Sequence, residues 1–386
     1  MRTAILVALL SCHPAWGAER PLPVVAPEKL GLSAAALARI DAVVAEALRK
    51  NELPGCVVVV VHKGRVVFRK AYGRRGVDAA AGAMGPEIVF DLASLTKPIA
   101  TATSVFLLIE EGKLRLTDRV SRHVPGEPFG GAPITIAHLL THTSGLIADN
   151  SIKDYQDGPK KALERIYALK PATRPGEKFV YSDVGFIVLG DIVQRVSGMP
   201  LDQFAHEHIF RPLGMNDTAF RPGAKLKERC APTQKREGRW MQGEVHDPRA
   251  HALGGVAGHA GLFSSADDLA VFTEMLLKGG VYDGKRVLSP ASVTTMTAPR
   301  EVGPGLLRTY GWDMKTKFSS NRGDLFPPGV SFGHTGFTGT SLWLDPPSET
   351  AVIFLSNRVH PDGKGNVTRL RGQVATIAAG AKGAGK

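Results

Sequence analysis

This chain of 386 residues has few cysteines: only Cys12, Cys56 and Cys230. Two of them, Cys56 and Cys230, fall in the body of the chain, too far apart to form a disulfide framework. Cys56 opens a valine run and reads as a small buried hydrophobe, and neither cysteine has a histidine close by in sequence. No apolar stretch reaches the roughly 20 residues needed to span a bilayer. G-x-S-x-G is missing, which argues against an α/β-hydrolase elbow. No strand-borne G-x-G-x-x-G marks a dinucleotide site, and no nucleic-acid module is visible. Acidic residues are in deficit, 36 against 48 Lys and Arg, for a formal charge of +12. The basic residues are dispersed, so the excess reads first as general solubility and second as affinity for anionic polymer or membrane surfaces.

The composition, 43% hydrophobic and 22% charged, is that of a globular protein with a substantial core. At the N-terminus, Arg2 precedes the apolar stretch Ala4 to Leu10, and Ala15-Trp16-Gly17-Ala18 offers small residues for cleavage. This pattern predicts an export signal over residues 1–18, with the mature protein in the periplasm or outside the cell. Leu9-Leu10-Ser11-Cys12 makes Cys12 a candidate lipid anchor, the alternative to simple cleavage.

Ser33 caps a predicted helix running to about Lys50, with Leu37, Ile40, Val44 and Leu48 on one stripe. Val57 to Val61 predict a strand buried on both faces, and His62-Lys63-Gly64 turn it into a hairpin with Val66, Val67 and Phe68. Strand-like runs return at Tyr310 to Met314, Ser331 to Leu344 and Ala351 to Leu355. A last helix carries Val367, Leu370, Val374 and Ile377, opened by Asn366. The tail beyond Ala379 is expected to fray. The expected fold is α/β: an antiparallel sheet built from both chain ends (about 30–96 and 290–380) and covered by helices on each face. A helix-rich region (about 97–289) is inserted between them, all within one hydrolase domain over 19–386.

Three short strings carry the chemistry: Ser94-Leu95-Thr96-Lys97, Tyr181-Ser182-Asp183 and His334-Thr335-Gly336. Each is weak alone, since about one S-x-x-K is expected by chance in a chain this long. Together, in this order, they supply a serine nucleophile, a lysine one helical turn on, a distant tyrosine and a strand-borne x-T-G element. Pro98 to Glu111 reads as an apolar core helix with Ser94 and Lys97 at its N-terminal turn. Serine needs a base. Lysine at its ordinary pKa is only about 0.04% neutral at pH 7, and burial with the helix end is expected to lower that pKa. A Tyr181 phenolate would need roughly 4 kcal/mol of differential stabilisation. The base is therefore read as a coupled Lys97–Tyr181 pair.

The chain resembles the class C β-lactamase-like serine hydrolases, a group with low-molecular-mass penicillin-binding proteins, D-alanyl-D-alanine carboxypeptidases and carboxylesterases. The resemblance runs from about Leu30 to Arg358 and adds Ile134 to Leu146 (ITIAHLLTHTSGL), Pro175-Gly176-Glu177, Pro212-Leu213-Gly214-Met215 and Gly254 to Ser264. It implies the β-lactamase/transpeptidase-like fold and an acyl-Ser94 intermediate, with Lys97 and Tyr181 moving protons. The oxyanion hole would be the N–H groups of Ser94 and Phe337. It implies no cofactor, and a small-molecule or peptidoglycan-peptide substrate.

Two positions depart from the family pattern. Asp183 stands where penicillin-recognising members commonly have asparagine; a carboxylate only accepts hydrogen bonds, so Asp183 contacts substrate, holds Lys97, or caps a helix. His334 stands where many members have lysine and is expected to be about one-quarter charged at pH 7. If it acts as a cation, anionic substrates bind more weakly from pH 6 to 8. Both departures favour an ester over a carboxylate-bearing amide, although branches with the same histidine are regarded as carboxypeptidase-like. The readings in contention are a carboxypeptidase or esterase, a β-lactamase, and a penicillin- or peptidoglycan-binding sensor without turnover. A metal reading has less support: His138 and His142 lack the glutamate of a zinc-protease helix, and His246, His251 and His259 show no matching carboxylate cluster in sequence.

Overall fold

The structure, a computed structural model, describes residues 21–78 and 81–382. The export signal over 1–18 and Cys12 lie outside the described residues. The elements that position the site are, in chain order, α1 (Ala34–Arg49), β1 (Gly55–His62), β2 (Arg65–Gly73), β3 (Val89–Asp91), α2 (Thr103–Glu110), α3 (Asp183–Ser197), β4 (Ala219–Phe220), β5 (Leu262–Ser265) and α4 (Ala266–Leu277). They continue with β6 (Arg300–Gly303), β7 (Leu306–Arg308), β8 (Asp313–Lys315), β9 (Phe332–Thr335), β10 (Ser341–Asp345), β11 (Thr350–Ser356) and α5 (Thr368–Ala379).

Eight strands form one antiparallel sheet in the order β6-β7-β8-β9-β10-β11-β1-β2. The C-terminal strand β11 is thus inserted beside the N-terminal β1, with Val59 opposite Ile353. The valine run shows why both faces need cover. Side chains alternate across a strand: Val57, Val59 and Val61 enter one core with Ile99, Val105 and Phe272, while Val58 and Val60 enter another with Leu37, Ile40, Val44, Leu370 and Val374. Every valine from 57 to 61 is fully buried. The sheet lies between α1 and α5 on one side and the inserted helical region on the other. The hairpin after β1 turns through Lys63 (φ 47°) and Gly64 (φ 72°), two left-handed residues that match the strands' twist.

Local signals place α1 well. Ser33 Oγ accepts from Ala36 N at 3.1 Å, and Ala47 rather than Leu48 is the fourth fully buried position. Before α5, Asn366 Oδ1 accepts from Thr368 N at 2.9 Å. Against the expected fraying past Ala379, Ala381 O accepts from Ser33 N at 2.9 Å and Lys382 bridges to Leu32; the residues beyond lie outside the described ones. Three features of the chain differ from the sequence pattern. The run Ser331 to Leu344 is two strands, not one, because Gly336 N bonds Thr340 O at 2.7 Å and closes a turn between them. The helix predicted from Pro98 opens as a π-helical stretch, Lys97–Ala102, before α2. Within the helix-rich region lies a second sheet, β3-β5-β4, whose strands of two to four residues are too short to show a period. Cys56 and Cys230 are both buried free thiols, and burial raises their pKa.

Candidate active site

Ser94 lies on a 3-10 turn, Ala93–Leu95, between β3 and the π-helical stretch. The preceding Ala93 has φ 46°, a left-handed conformation costly for a residue with a Cβ. It is held there by its N–H, which donates to Asp91 Oδ1 at 2.8 Å. Asp91 also accepts from His246 N at 2.7 Å, and its burial, opposed by those two bonds, raises its pKa to about 6.

Lys97 is fully buried below Ser94. Its Nζ donates to Ser94 Oγ at 2.9 Å and to His259 O at 3.0 Å. It also forms an ion pair with Asp183 Oδ1 at 2.6 Å. Desolvation, the largest single influence, pulls the Lys97 pKa down, but Asp183 and Tyr181 together outweigh it and the net displacement is upward. This corrects the expectation of a lowered lysine, and the cause is Asp183. Among the roles considered for that residue, the structure selects the lysine partner. The helix N-cap is Ser182, whose Oγ accepts from Gly185 N at 3.1 Å, and Asp183 is the first residue of α3.

Tyr181 comes to the same place. The Lys97 Nζ is 5.0 Å from its ring centroid, and its hydroxyl is within hydrogen-bonding reach of Lys97 and Ser94. Its ring packs against His142 (4.5 Å), Phe318 (5.1 Å) and His334 (5.9 Å). Burial raises the Tyr181 pKa, opposed by Lys97 and reinforced by Asp183, so the resting group is a phenol rather than a phenolate.

The x-T-G string runs along β9 into the turn at Gly336. Only glycine fits at Gly336: a Cβ there would collide with Thr340 Oγ1 and Leu92 O. Phe337, next in the chain, is 62% exposed. His334 is buried, and its Nδ1–H donates to Thr335 O at 2.8 Å. Desolvation, then Arg308 and Lys97, push its pKa well below the ordinary imidazole value. The partly cationic His334 expected from sequence is therefore corrected to a neutral one. Ser94, Tyr181, His334, Thr335, Gly336 and Phe337 line one cleft of about 530 Å³.

Several contributors were not singled out for this site by sequence reasoning. His142, weighed only as a metal ligand, accepts from Ser182 N through Nδ1 at 3.0 Å and packs on Tyr181, so it orients the second string. His138 has a capping role, its Nδ1 accepting from Thr135 N at 3.2 Å. Arg308, fully buried, pairs with Asp313 at 3.4 Å and stands 5.9 Å from the Tyr181 ring. Arg371 and Arg358 also line the cleft. The carboxylates unseen beside His259 are supplied by the fold: ligand atoms of Asp183, Asp247 and His259 lie within 4.8 Å of one another. Asp247 bonds His259 Nε2 at 2.9 Å and Ala250 N at 2.8 Å. These three are the groups able to hold a cation here, and the Lys97 ammonium already lies against Asp183. No sequence signal marks His142 or Arg371, because their partners Ser182 and Thr340 lie 40 and 31 residues away.

Comparison with known proteins points the same way. The family model described as Beta-lactamase matches residues 40–376. The protein named "Putative D-alanyl-D-alanine carboxypeptidase" in Escherichia coli (strain K12) is 31% identical over 408 residues, covering 93% of this chain and 91% of that one. The N-acetylmuramyl-L-alanine amidase of Bacillus subtilis (strain 168) is 32% identical over 346 residues, covering 80% and 78%. Among solved structures, EstCE1, a hydrolase with promiscuous acyltransferase activity, superposes with a TM-score of 0.73 at 24% identity, covering 89% of this chain and 99% of that one. The octameric penicillin-binding protein homologue from Pyrococcus abyssi gives a TM-score of 0.67 at 25% identity, covering 86% and 76%.

Proposed function

The chain belongs to the β-lactamase family of serine hydrolases, and from that premise we propose that it is an exported hydrolase working through an acyl-Ser94 intermediate. Its preferred substrates are peptides ending in a free carboxylate, of the D-alanyl-D-alanine type. The observation that carries the mechanism is the single ammonium of Lys97 held between Ser94 Oγ at 2.9 Å and Asp183 Oδ1 at 2.6 Å.

Ser94 Oγ attacks the carbonyl carbon, and the carbonyl π pair moves onto its oxygen. As the Ser94 proton passes to Lys97 Nζ, an ammonium proton passes from Nζ to Asp183, so Lys97 stays charged throughout. When the tetrahedral intermediate collapses, the leaving group takes the Tyr181 proton. Lys97 restores the phenol and Asp183 restores Lys97. Water then repeats the sequence against the acyl-enzyme. The Ser94 and Phe337 N–H groups receive the oxyanion, each worth about 3 kcal/mol of transition-state stabilisation.

The carboxylate preference is supported by Arg371, which lines the cleft and is 9% exposed. Its Nη1 donates to Thr340 O at 2.8 Å, and its Nε is buried with no partner among the described residues. Burial, then the neighbouring Arg358, lowers its pKa to about 10. The name of the Escherichia coli relative, "Putative D-alanyl-D-alanine carboxypeptidase", supports the same reading. Neutral His334 favours a second one, a small uncharged ester. Export is supported by Arg2, the apolar stretch to Leu10 and the Ala15–Ala18 cleavage pattern.

The test is a panel of a D-Ala-D-Ala peptide, a cephalosporin and a short ester, with intact-mass detection of adducts. Turnover of the peptide with an adduct on Ser94, abolished in Ser94→Ala, is expected. One stoichiometric adduct without steady state would replace the hydrolase by a sensor. N-terminal mass of the exported protein reads cleavage at residue 18 against lipidation at Cys12.

A further inference from the structure

Phe337 is largely exposed, yet its ring is clamped. The Arg358 guanidinium lies 4.4 Å from the ring centroid, and His246 stacks against it at 5.7 Å with an interplanar angle of 27°. A ring this exposed gains little from burial, so the consequence of the clamp falls on the backbone. Arg358 Nε donates to Phe337 O at 2.8 Å, and Nη1 donates to Gly363 O at 3.2 Å and Gly365 O at 3.1 Å. Among the described residues Arg358 has no carboxylate partner at ion-pair distance; its donors are committed to main-chain carbonyls. It follows β11 by two residues, so the central sheet carries it.

The rest of the turn is tied to the segment bearing Ser94. Thr338 Oγ1 donates to Asp91 O at 2.6 Å and Thr340 Oγ1 to Leu92 O at 3.0 Å. Gly336 is pinned through its own N–H. Phe337 is the link between these anchors, and Arg358 is what holds its carbonyl. We propose that Arg358 is the positioning residue that sets the Phe337 N–H in the oxyanion hole. The inference rests on the acyl-Ser94 reading above. An oxyanion donor acts only if it sits at hydrogen-bond distance from where the charge will develop. A planar fork spanning three carbonyls fixes direction as well as distance, and a lysine ammonium at this position keeps the charge but loses the fork.

The test uses a neutral ester, p-nitrophenyl acetate, so that recognition of a substrate carboxylate plays no part. Arg358→Ala and Arg358→Lys are compared with the wild type in kcat, KM, melting temperature and inhibition by phenylboronic acid, whose serine adduct places an oxygen in the hole. Both variants are expected to lose at least tenfold in kcat with KM within twofold, and the boronate is expected to weaken by a matching factor. Wild-type kcat in Arg358→Lys, or unchanged boronate affinity in either variant, overturns the inference. The lysine variant carries the test alone if the alanine variant does not fold. Ester hydrolysis surviving in Ser94→Ala would instead remove the underlying reading.

Discussion

Two buried cations, Lys97 behind Ser94 and Arg371 in the wall of the cleft, are treated in opposite ways. Lys97 has a counter-charge: a carboxylate lies at 2.6 Å, and the ammonium donates to a hydroxyl and a carbonyl. Arg371 has a carbonyl, a buried Nε without a partner among the described residues, and a second guanidinium for a neighbour. Burying a charge is costly unless it is paired. Under the proposed function, the difference separates a cation that relays a proton from one left to meet an anion brought by a ligand. His334, held neutral by burial beside Arg308 and Lys97, supplies no charge for either task.

The comparison can be broken first at Lys97. Lys97→Ala, like Ser94→Ala, should reduce acylation at least a thousandfold, and only the lysine variant should also lower the melting temperature, because Asp183 loses its counter-ion; quantitative adduct formation by mass spectrometry would remove the relay. Arg371→Ala should lower kcat/KM for the D-Ala-D-Ala peptide about 10- to 100-fold and barely alter a neutral ester, as expected for a lost charge-assisted contact. Equal losses on both substrates would make Arg371 merely structural. Because His334 is neutral, KM for the anionic peptide should stay flat from pH 6 to 8, in contrast to a cationic histidine.

Asp183→Asn sharpens the comparison by making Lys97 resemble Arg371. Removing the carboxylate removes the largest influence holding the Lys97 pKa up. Because the relay uses Lys97 as an ammonium, its deprotonation sets the falling limb of the pH–rate profile, which should move to lower pH, while the maximum rate falls with loss of the proton acceptor. An unmoved limb would show that Asp183 does not control the lysine.

The last effect, on stability rather than on rate, concerns a buried acid that forms no ion pair among the described residues. Asp268 accepts from Asp217 N and Thr218 Oγ1, and desolvation, partly opposed by those bonds, raises its pKa to about 7. With the folded pKa above the unfolded value near 4, the native state binds the extra proton between them, so stability falls as pH rises from about 4 to 7. Asp268→Asn should therefore raise the melting temperature at pH 8, by at most about 4 kcal/mol of stability, with no gain at pH 4. Thermal scans at the two values check the sign.

Much of this architecture was legible along the chain because its signals are local. Ser33 announces α1, the alternation inside Val57 to Val61 requires cover on two faces, and Lys63-Gly64 turn the hairpin. The β3-β5-β4 sheet was not legible, since two to four residues have no period and the pairing partner of Val89 is Ser265. The site divides in the same way. Ser94, Lys97, Tyr181 and the His334-Thr335-Gly336 string could be named from sequence, and the structure brings them into one cleft. Their protonation could not be read, nor could the parts played by His142, His259 and Arg371.

Residue order alone determined the helix caps, the buried strand and the turn glycines, because each depends on neighbours within a few positions, and it marked Ser94, Lys97 and Tyr181 as the candidate reactive groups. Tertiary structure decided that Lys97 stays charged and His334 neutral. Those states depend on distances to Asp183 and Arg308 and on the loss of water around them, quantities that exist only once distant segments have packed.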